Sequence, residues 1–268
     1  MREPLAFPPD WADAWGDDRF GLWAEFEVGG VRQRMRWIEP GEFEMGSHQG
    51  EPERVDDEGP QHTVQFSAGF WLADSACTQA LWMAVTGADN PSHFKGDDAC
   101  PVEQVNWDDV QAFMQRLHKE LGPSSDPALP TEAQWEYACR AGTITPFNLG
   151  ANVSPSQINY DGNFPYNGAD KGEYRERTVP VTSLPPNRWG LYEMHGNVWE
   201  WCADGLRRYD ASKVVDPQGP ADPGQEDPRA LRGGSWLYRA WSARSASRGA
   251  RRRAGRYHYL GFRLCLRS

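Results

Sequence analysis

The chain has 268 residues, a formal net charge of −10, and 27 Gly, 21 Pro and 13 Trp. That length holds one large domain or two small ones with a sizeable core, and this much Gly and Pro predicts many turns rather than long helices. The five cysteines, Cys77, Cys100, Cys139, Cys202 and Cys265, are widely spaced with no C-x-x-C, which argues against a disulfide framework and a cysteine zinc site.

Residues 1–30 read as an N-terminal extension whose Trp11, Trp15, Phe20 and Trp23 pack on a body formed by residues 31–268. They contain no apolar signal core, and no later stretch is long and apolar enough for a bilayer. A cytoplasmic protein with no membrane partner is therefore expected. Residues 31–45 alternate polar and apolar around Pro40-Gly41 and predict strand, turn, strand. Residues 46–61 are polar and acidic and predict a surface loop, and residues 62–72 alternate again as one or two strands.

Three short helices follow. Thr78 is placed to cap the first, with Leu81, Trp82 and Val85 inward and Gly87 at its end. Asn106 caps the second, with Asp108 and Asp109 in the first turn, where the helix dipole favours negative charge. Its Val110, Phe113, Met114, Leu117 and Leu121 share one face. Thr131 and Gln134 form a capping box for the third, Trp135, Ala138 and Cys139 point inward, and Gly142 ends it. Residues 143–187 show little periodicity. A stretch this long needs another source of order, such as buried aromatics or bound metal.

Charge is uneven. From residue 228 to 268 there are 11 Arg and no Lys, Asp or Glu, so the remaining residues carry 17 basic against 38 acidic groups. A basic segment on an acidic body suits an anionic ligand. The alternative is that these arginines pair with the protein's own carboxylates. The run Arg251–Arg253 with Tyr257 and Tyr259 has the chemistry of a nucleic-acid contact, but the acidic remainder argues against general affinity for a polyanion.

A set of motifs stands in order: MGS at 45–47, CTQALW at 77–82, PVEQVNWDDVQAF at 101–113, LPTEAQWEYACRAGT at 129–143, WGLYEMHGNVWEWCAD at 189–204, RGGSW at 232–236 and GFRL at 261–264. Together they resemble the formylglycine-generating enzyme (sulfatase-modifying factor) family over about residues 36–267. The resemblance implies an α+β fold, the family's variant of the C-type lectin fold, with low regular secondary structure, short helices and small antiparallel sheets.

The family's oxidases bind copper through two cysteines shortly after the GGS-aromatic turn. Those positions fall here at Tyr238 and near Ala243, and the nearest following thiol is Cys265. Cu(I) prefers soft thiolate, so no copper and no oxidase chemistry are expected. The related sulfoxide synthases draw iron-binding histidines from an extra helical domain. The six histidines here, His48, His62, His93, His118, His195 and His258, show no H-x-x-x-H spacing.

The variable proteins of diversity-generating retroelements use the same lectin-like fold. Their hypervariable display segment lies between a GGSW-like turn and a GFR-like strand, which here corresponds to residues 237–259. That segment is rich in Tyr, Arg, Ser, Ala and Gly, a composition that gives rigid aromatic contact area beside adaptable small residues. The expected function is a non-catalytic protein that binds a protein or small ligand through this face. Tyr238, Arg239, Trp241, Ser242, Arg244, Arg256, Tyr257 and Tyr259 line it, and Gly233, Gly234, Trp236, Gly261, Phe262 and Arg263 frame it. An alternative is an oxidase with a divergent metal site, and another is a family member whose C-terminal arginines form fixed salt bridges.

The resemblance also implies two calcium sites. One would use the Asn159 side chain, the Tyr160 carbonyl, Glu173 and the Arg175 carbonyl. The other would use Glu193, the Gly196 and Val198 carbonyls, and Glu200. Calcium takes this mixture of carboxylate, amide and backbone oxygen. The pairs Asp97-Asp98 and Asp108-Asp109 read as loop and helix-start carboxylates, and Ser235 lacks a G-x-S-x-G elbow.

Overall fold

The computed structural model describes residues 3–219 and 228–267. Among the described residues there are three sheets and three α-helices, with long irregular stretches between them. The largest sheet has six strands in the order Ala14–Asp18, Gly21–Val28, Val31–Ile38, Phe70–Ala73, Cys265–Arg267 and Pro127–Ala128, all antiparallel neighbours. The C-terminal strand thus lies inside a sheet begun by the N-terminal residues. Its Cys265 pairs with Leu72 on one side and Ala128 on the other.

The division expected between residues 30 and 31 falls in a β-hairpin. Val28 pairs with Val31, and the two residues between them, Gly29 and Gly30, have φ of 57° and 80°. Two consecutive positive φ values are what a tight hairpin turn requires. Residues 14–28 are therefore sheet strands rather than an appendage. Trp11 packs at the back of this sheet, edge-on to Trp71 at 5.7 Å, whereas Trp15 is 50% exposed.

The second sheet has the order Gly249–Arg252, Pro228–Arg232, Trp199–Gly205 and Leu260–Gly261, with the last pair parallel. The third joins Glu42–Met45, His62–Gln65 and Val214–Val215. Helix α1 (Gln79–Thr86) starts at Thr78, whose side chain accepts from the Leu81 amide, and ends at Gly87. Helix α2 (Trp107–Leu121) is capped by Asn106, and Asp109 returns the bond to the Asn106 amide. Helix α3 (Glu132–Arg140) has the Thr131–Gln134 box. It stops one residue before the expected glycine, at Ala141, which adopts the left-handed conformation with φ 45°.

The main core lies between α1, α2 and the sheets. Trp82 stacks on Phe113 at 5.4 Å, and Phe113 meets Phe262 edge-on at 5.3 Å. A second core surrounds Trp135 of α3. A third cluster of Phe147, Ile158, Tyr160, Tyr166, Ala240 and Ala243 lies under the irregular stretch 143–187. Phe147, Tyr160 and Tyr166 are fully buried there, so large rings supply order that regular backbone bonding does not.

Candidate functional site

The C-terminal segment starts at the turn formed by Gly233 and Gly234, with φ of 100° and 70°. A Cβ at Gly234 would lie 2.9 Å from the Ala243 backbone, so only glycine lets the turn close on the segment that follows. The arginines on either side of it include an internal group and a superficial one.

The first group is internal. Arg232 is fully buried and pairs with Glu132 at 2.9 Å and Glu136 at 2.8 Å, both on α3. Arg248 pairs with the same Glu132 at 2.7 Å, and Arg140 with Glu136 at 2.8 Å. Burial alone would raise the Glu132 carboxyl, but Arg232 and Arg248 outweigh it and hold it at about 2. Arg263 grips Glu200 with two bonds of 2.7 and 2.8 Å, and the Trp135 indole donates to the same carboxylate at 2.6 Å.

Arg244, expected on the binding face, also belongs inside. It is fully buried and bound to Glu51 at 2.6 Å and to Glu58 at 2.5 Å. Both acids come from the 46–61 stretch expected as a surface loop, and burial of Glu51 and Glu58 follows from their pairing with Arg244. Ser242 is buried too, its hydroxyl donating to the Arg239 carbonyl at 2.8 Å. These two residues hold the segment in place rather than facing a ligand.

The second group is superficial. Arg253 pairs with Asp108, and Arg256 with Asp109 at 2.7 Å, so both dock the segment on the first turn of α2. Arg239 is exposed and lies over the Phe164 ring at 4.5 Å.

The rings expected at the face do come together. Tyr238 meets Tyr259 at 5.3 Å, and Tyr257 stacks on Tyr259 at 5.1 Å. Tyr238 and Tyr257 are half-buried and Tyr259 is 8% exposed, so Tyr259 backs the other two. Arg251 donates to the Tyr238 and Tyr259 hydroxyls at 3.0 and 3.4 Å. Burial and then the neighbouring Tyr259 push the Tyr238 phenol up to about 12, so it stays neutral. Trp241, also half-buried, packs instead beside the small cluster under the irregular stretch.

The aromatic surface extends beyond the expected residues. Trp236 meets His258 at 5.4 Å and Phe94 at 5.2 Å, and Tyr174 stacks over Trp236 at 6.2 Å. His93 lies 5.5 Å from His258. Phe94 and His93 come from the loop after α1, and Tyr174 from the irregular stretch. No spacing in the sequence links them to the C-terminus.

Glu103 sits behind Phe94. Its Oε1 accepts the Phe94 amide at 2.8 Å, while Oε2 is buried and has no hydrogen-bond partner among the described residues. Burial raises this carboxyl from its ordinary 4.5 to about 7. The unfolded chain loses that proton near 4.5 and the folded chain only near 7, so stability from this group is full at low pH and declines as pH rises between those values. Allowing for solvent screening, Glu103 contributes a loss on the order of 1 kcal/mol between pH 5 and 8. Urea titrations at both pH values should show Glu103→Gln removing that part of the slope, and an unchanged slope would refute the assignment.

The two sets of calcium ligands differ in their fit to a cation. Asn159 is fully buried, its Nδ2 donates to the Arg177 carbonyl and to Asn197 Oδ1 at 3.0 and 3.1 Å, and its Oδ1 has no donor among the described residues. An orphaned buried amide oxygen suits a hard cation. Glu173, the carboxylate of that set, is largely exposed and 3.1 Å from Arg175. In the second set both carboxylates are used within the chain. Glu193 accepts the Thr182 and Leu184 amides at 3.0 and 3.2 Å, and Glu200 is held by Arg263 and Trp135. The long Glu193 arm reaches the 182–184 turn, and the buried Arg263 charge already balances Glu200. Every carboxylate oxygen of this set thus already carries at least one internal bond.

The positions of the copper cysteines do not fit that metal. Tyr238 offers a phenol engaged by Arg251, and Ala243 a buried methyl. Cys265 is buried in the six-stranded sheet, and burial pushes its thiol up to about 12. Cys139 lies 3.7 Å from His195 Nε2 and 3.7 Å from Ser245 Oγ, but burial likewise pushes it up to about 12. His195 has Nδ1 on the Ala243 carbonyl at 2.6 Å and Nε2 on the Asn148 amide at 3.0 Å, and burial lowers it to about 4. It is a neutral internal strut.

A family model described as the sulfatase-modifying factor enzyme 1-like domain matches residues 20–268. The formylglycine-generating enzyme of Streptomyces coelicolor is 35% identical over 204 residues, which is 71% of this chain and 61% of that protein. The formylglycine-generating enzyme of Bos taurus is 35% identical over 169 residues, 58% of this chain and 42% of that one. The matches thus span less than two thirds of either relative. Among solved structures, Treponema denticola variable protein 1 has a TM-score of 0.75 at 27% identity, covering 92% of this chain and 99% of that one. The ordered motifs, the α+β architecture and a match over nearly the whole chain agree: this protein belongs to the sulfatase-modifying factor enzyme 1-like domain family.

Proposed function

We propose that this chain is a binding member of its family, using the surface around Tyr238, Tyr257, Trp241 and Arg239 to hold a protein or small ligand. The observation that carries this reading is the split within one segment. Arg232, Arg244, Arg248 and Arg263 lock the frame internally, while Tyr238, Trp241 and Tyr257 between them stay partly exposed over the buried Trp236 and Tyr259. Aromatic and Arg side chains on such a base make strong contacts at little entropic cost. The likeness to a Treponema variable protein supports display of changeable residues at 237–259. A neighbouring reverse transcriptase gene and a template repeat differing at adenines would mark this chain as such a display protein.

The opposing reading is oxidation of a substrate cysteine by a divergent metal site. Incubation with copper, oxygen and a cysteine-containing peptide separates the two. Mass spectrometry is expected to show unmodified peptide, and formylglycine formation, or one tightly bound Cu(I) per chain, would overturn the binding reading.

Calcium is proposed at the Asn159 set alone. There the Asn159 oxygen, the Tyr160 and Arg175 carbonyls and Glu173 would hold the ion and tie the irregular stretch to the body. Elemental analysis is expected to find one calcium per chain, and a chelator to lower the Tm by several degrees through the loss of native-state binding. An unchanged Tm in metal-free protein would remove this site.

A further inference from the structure

A cavity of about 510 Å³ lies between residues 56–59 and residues 206–209, the stretch that follows strand Trp199–Gly205. The volume is that of a small-molecule site. Arg248 ties the two walls together. It donates to the Asp57 carbonyl at 2.8 Å on one side and to the Arg207 carbonyl at 3.0 Å on the other, while Glu132 holds the rest of its guanidinium. The walls are therefore fixed by the chain itself.

Arg207, in this wall, departs from the arginines that the fold encloses. Arg232, Arg244, Arg248 and Arg263 each hold a buried carboxylate. Arg207 is half-buried, yet its Nε is enclosed without a hydrogen-bond partner and its Nη2 reaches only the Met45 thioether at 3.9 Å. Its guanidinium lies 5.5 Å from the Tyr209 ring, which Arg248 also covers at 4.1 Å. The acids nearest to it are committed elsewhere. Glu132 is shared by Arg232 and Arg248, and Asp204 accepts the Glu132 and Gly219 amides. Arg208, the next residue of the wall, is exposed and makes no ion pair among the described residues.

A guanidinium withdrawn from water without an acid costs free energy, and an anionic group on a ligand offsets that cost. The facing wall limits the charge of that group. Asp56 pairs with Arg54 at 3.4 Å, which leaves the exposed Asp57 against both Arg207 and Arg208. Positive charge is thus in surplus by a single unit, which favours a singly charged anion over phosphate or a dicarboxylate. Leu206, partly exposed in the same wall, offers apolar surface beside the charges. We propose that this cavity binds a small organic monocarboxylate, with its charge at Arg207 and Arg208 and its apolar body against Leu206. The site shares none of the rings of the C-terminal face.

The probe is 4-methylpentanoate, titrated into the full chain by calorimetry, with 4-methylpentanamide as its uncharged isostere and inorganic phosphate as the more highly charged anion. The carboxylate is expected to bind saturably and about tenfold more tightly than the amide, the scale of one charge-assisted contact. Phosphate is expected to bind more weakly than the carboxylate. Arg207→Gln and Arg208→Gln should each weaken the carboxylate several-fold and leave the amide unchanged, with circular dichroism and Tm showing the variants folded. Arg208 lies on the surface, so its substitution decides the matter even where Arg207→Gln does not fold. Absence of saturable 4-methylpentanoate binding, equal affinity for the amide, tighter binding of phosphate, or unaltered affinity in the folded variants would overturn the proposal.

Discussion

Arg232→Met is expected to destabilise the protein by about 3–5 kcal/mol, the cost of removing one partner from a buried ion-pair network. Arg232 has no exposed surface and joins Glu132 and Glu136, both also fully buried on α3. It also donates to the Ser245 carbonyl at 2.8 Å and the Tyr209 hydroxyl at 2.9 Å. The substitution leaves two carboxylates sharing Arg140 and Arg248 and leaves buried acceptors without a donor. The hydrophobic gain from the methionine cannot offset that. Thermal or urea unfolding should show a Tm lower by on the order of 10 °C. A loss below about 1 kcal/mol would mean the carboxylates find water or protons, and the network would not be the clamp that fixes the segment on α3.

Arg244→Ala should cost a similar amount, about 3–5 kcal/mol, because it strands Glu51 and Glu58 in the interior. Arg256→Ala should change stability by no more than about 0.5 kcal/mol, since its pair with Asp109 is open to solvent. The two residues were expected from the sequence to share one binding face, so the contrast tests the division drawn above. Equal, small losses in parallel denaturant titrations would return Arg244 to the surface.

Much of the local structure was legible. Thr78, Asn106 and Thr131 cap the three helices as their side chains predict, and Gly87 ends the first. These are short-range features, settled within four residues by hydrogen bonding and backbone sterics. The motif order also gave the family and its architecture. The boundary at residue 30 was not legible, because strands 21–28 and 31–38 only declare themselves a hairpin once a sheet receives both. Within the candidate site, Tyr238, Tyr257 and Tyr259 do gather, whereas Ser242 and Arg244 turn inward. Phe94, His93 and Tyr174 enter from distant loops and had no periodicity to mark them.

The sequence by itself determined the helix N-caps, the absence of cysteine at the two expected positions and the total charge of the C-terminal segment. Only the tertiary structure decided which of its arginines serve the fold and which face outward. Arg244 and Glu51 are 193 residues apart, and Arg232 and Glu132 are 100 apart. An arginine's role follows from the dielectric around it and from the carboxylate it meets, and both are created only when remote segments pack together.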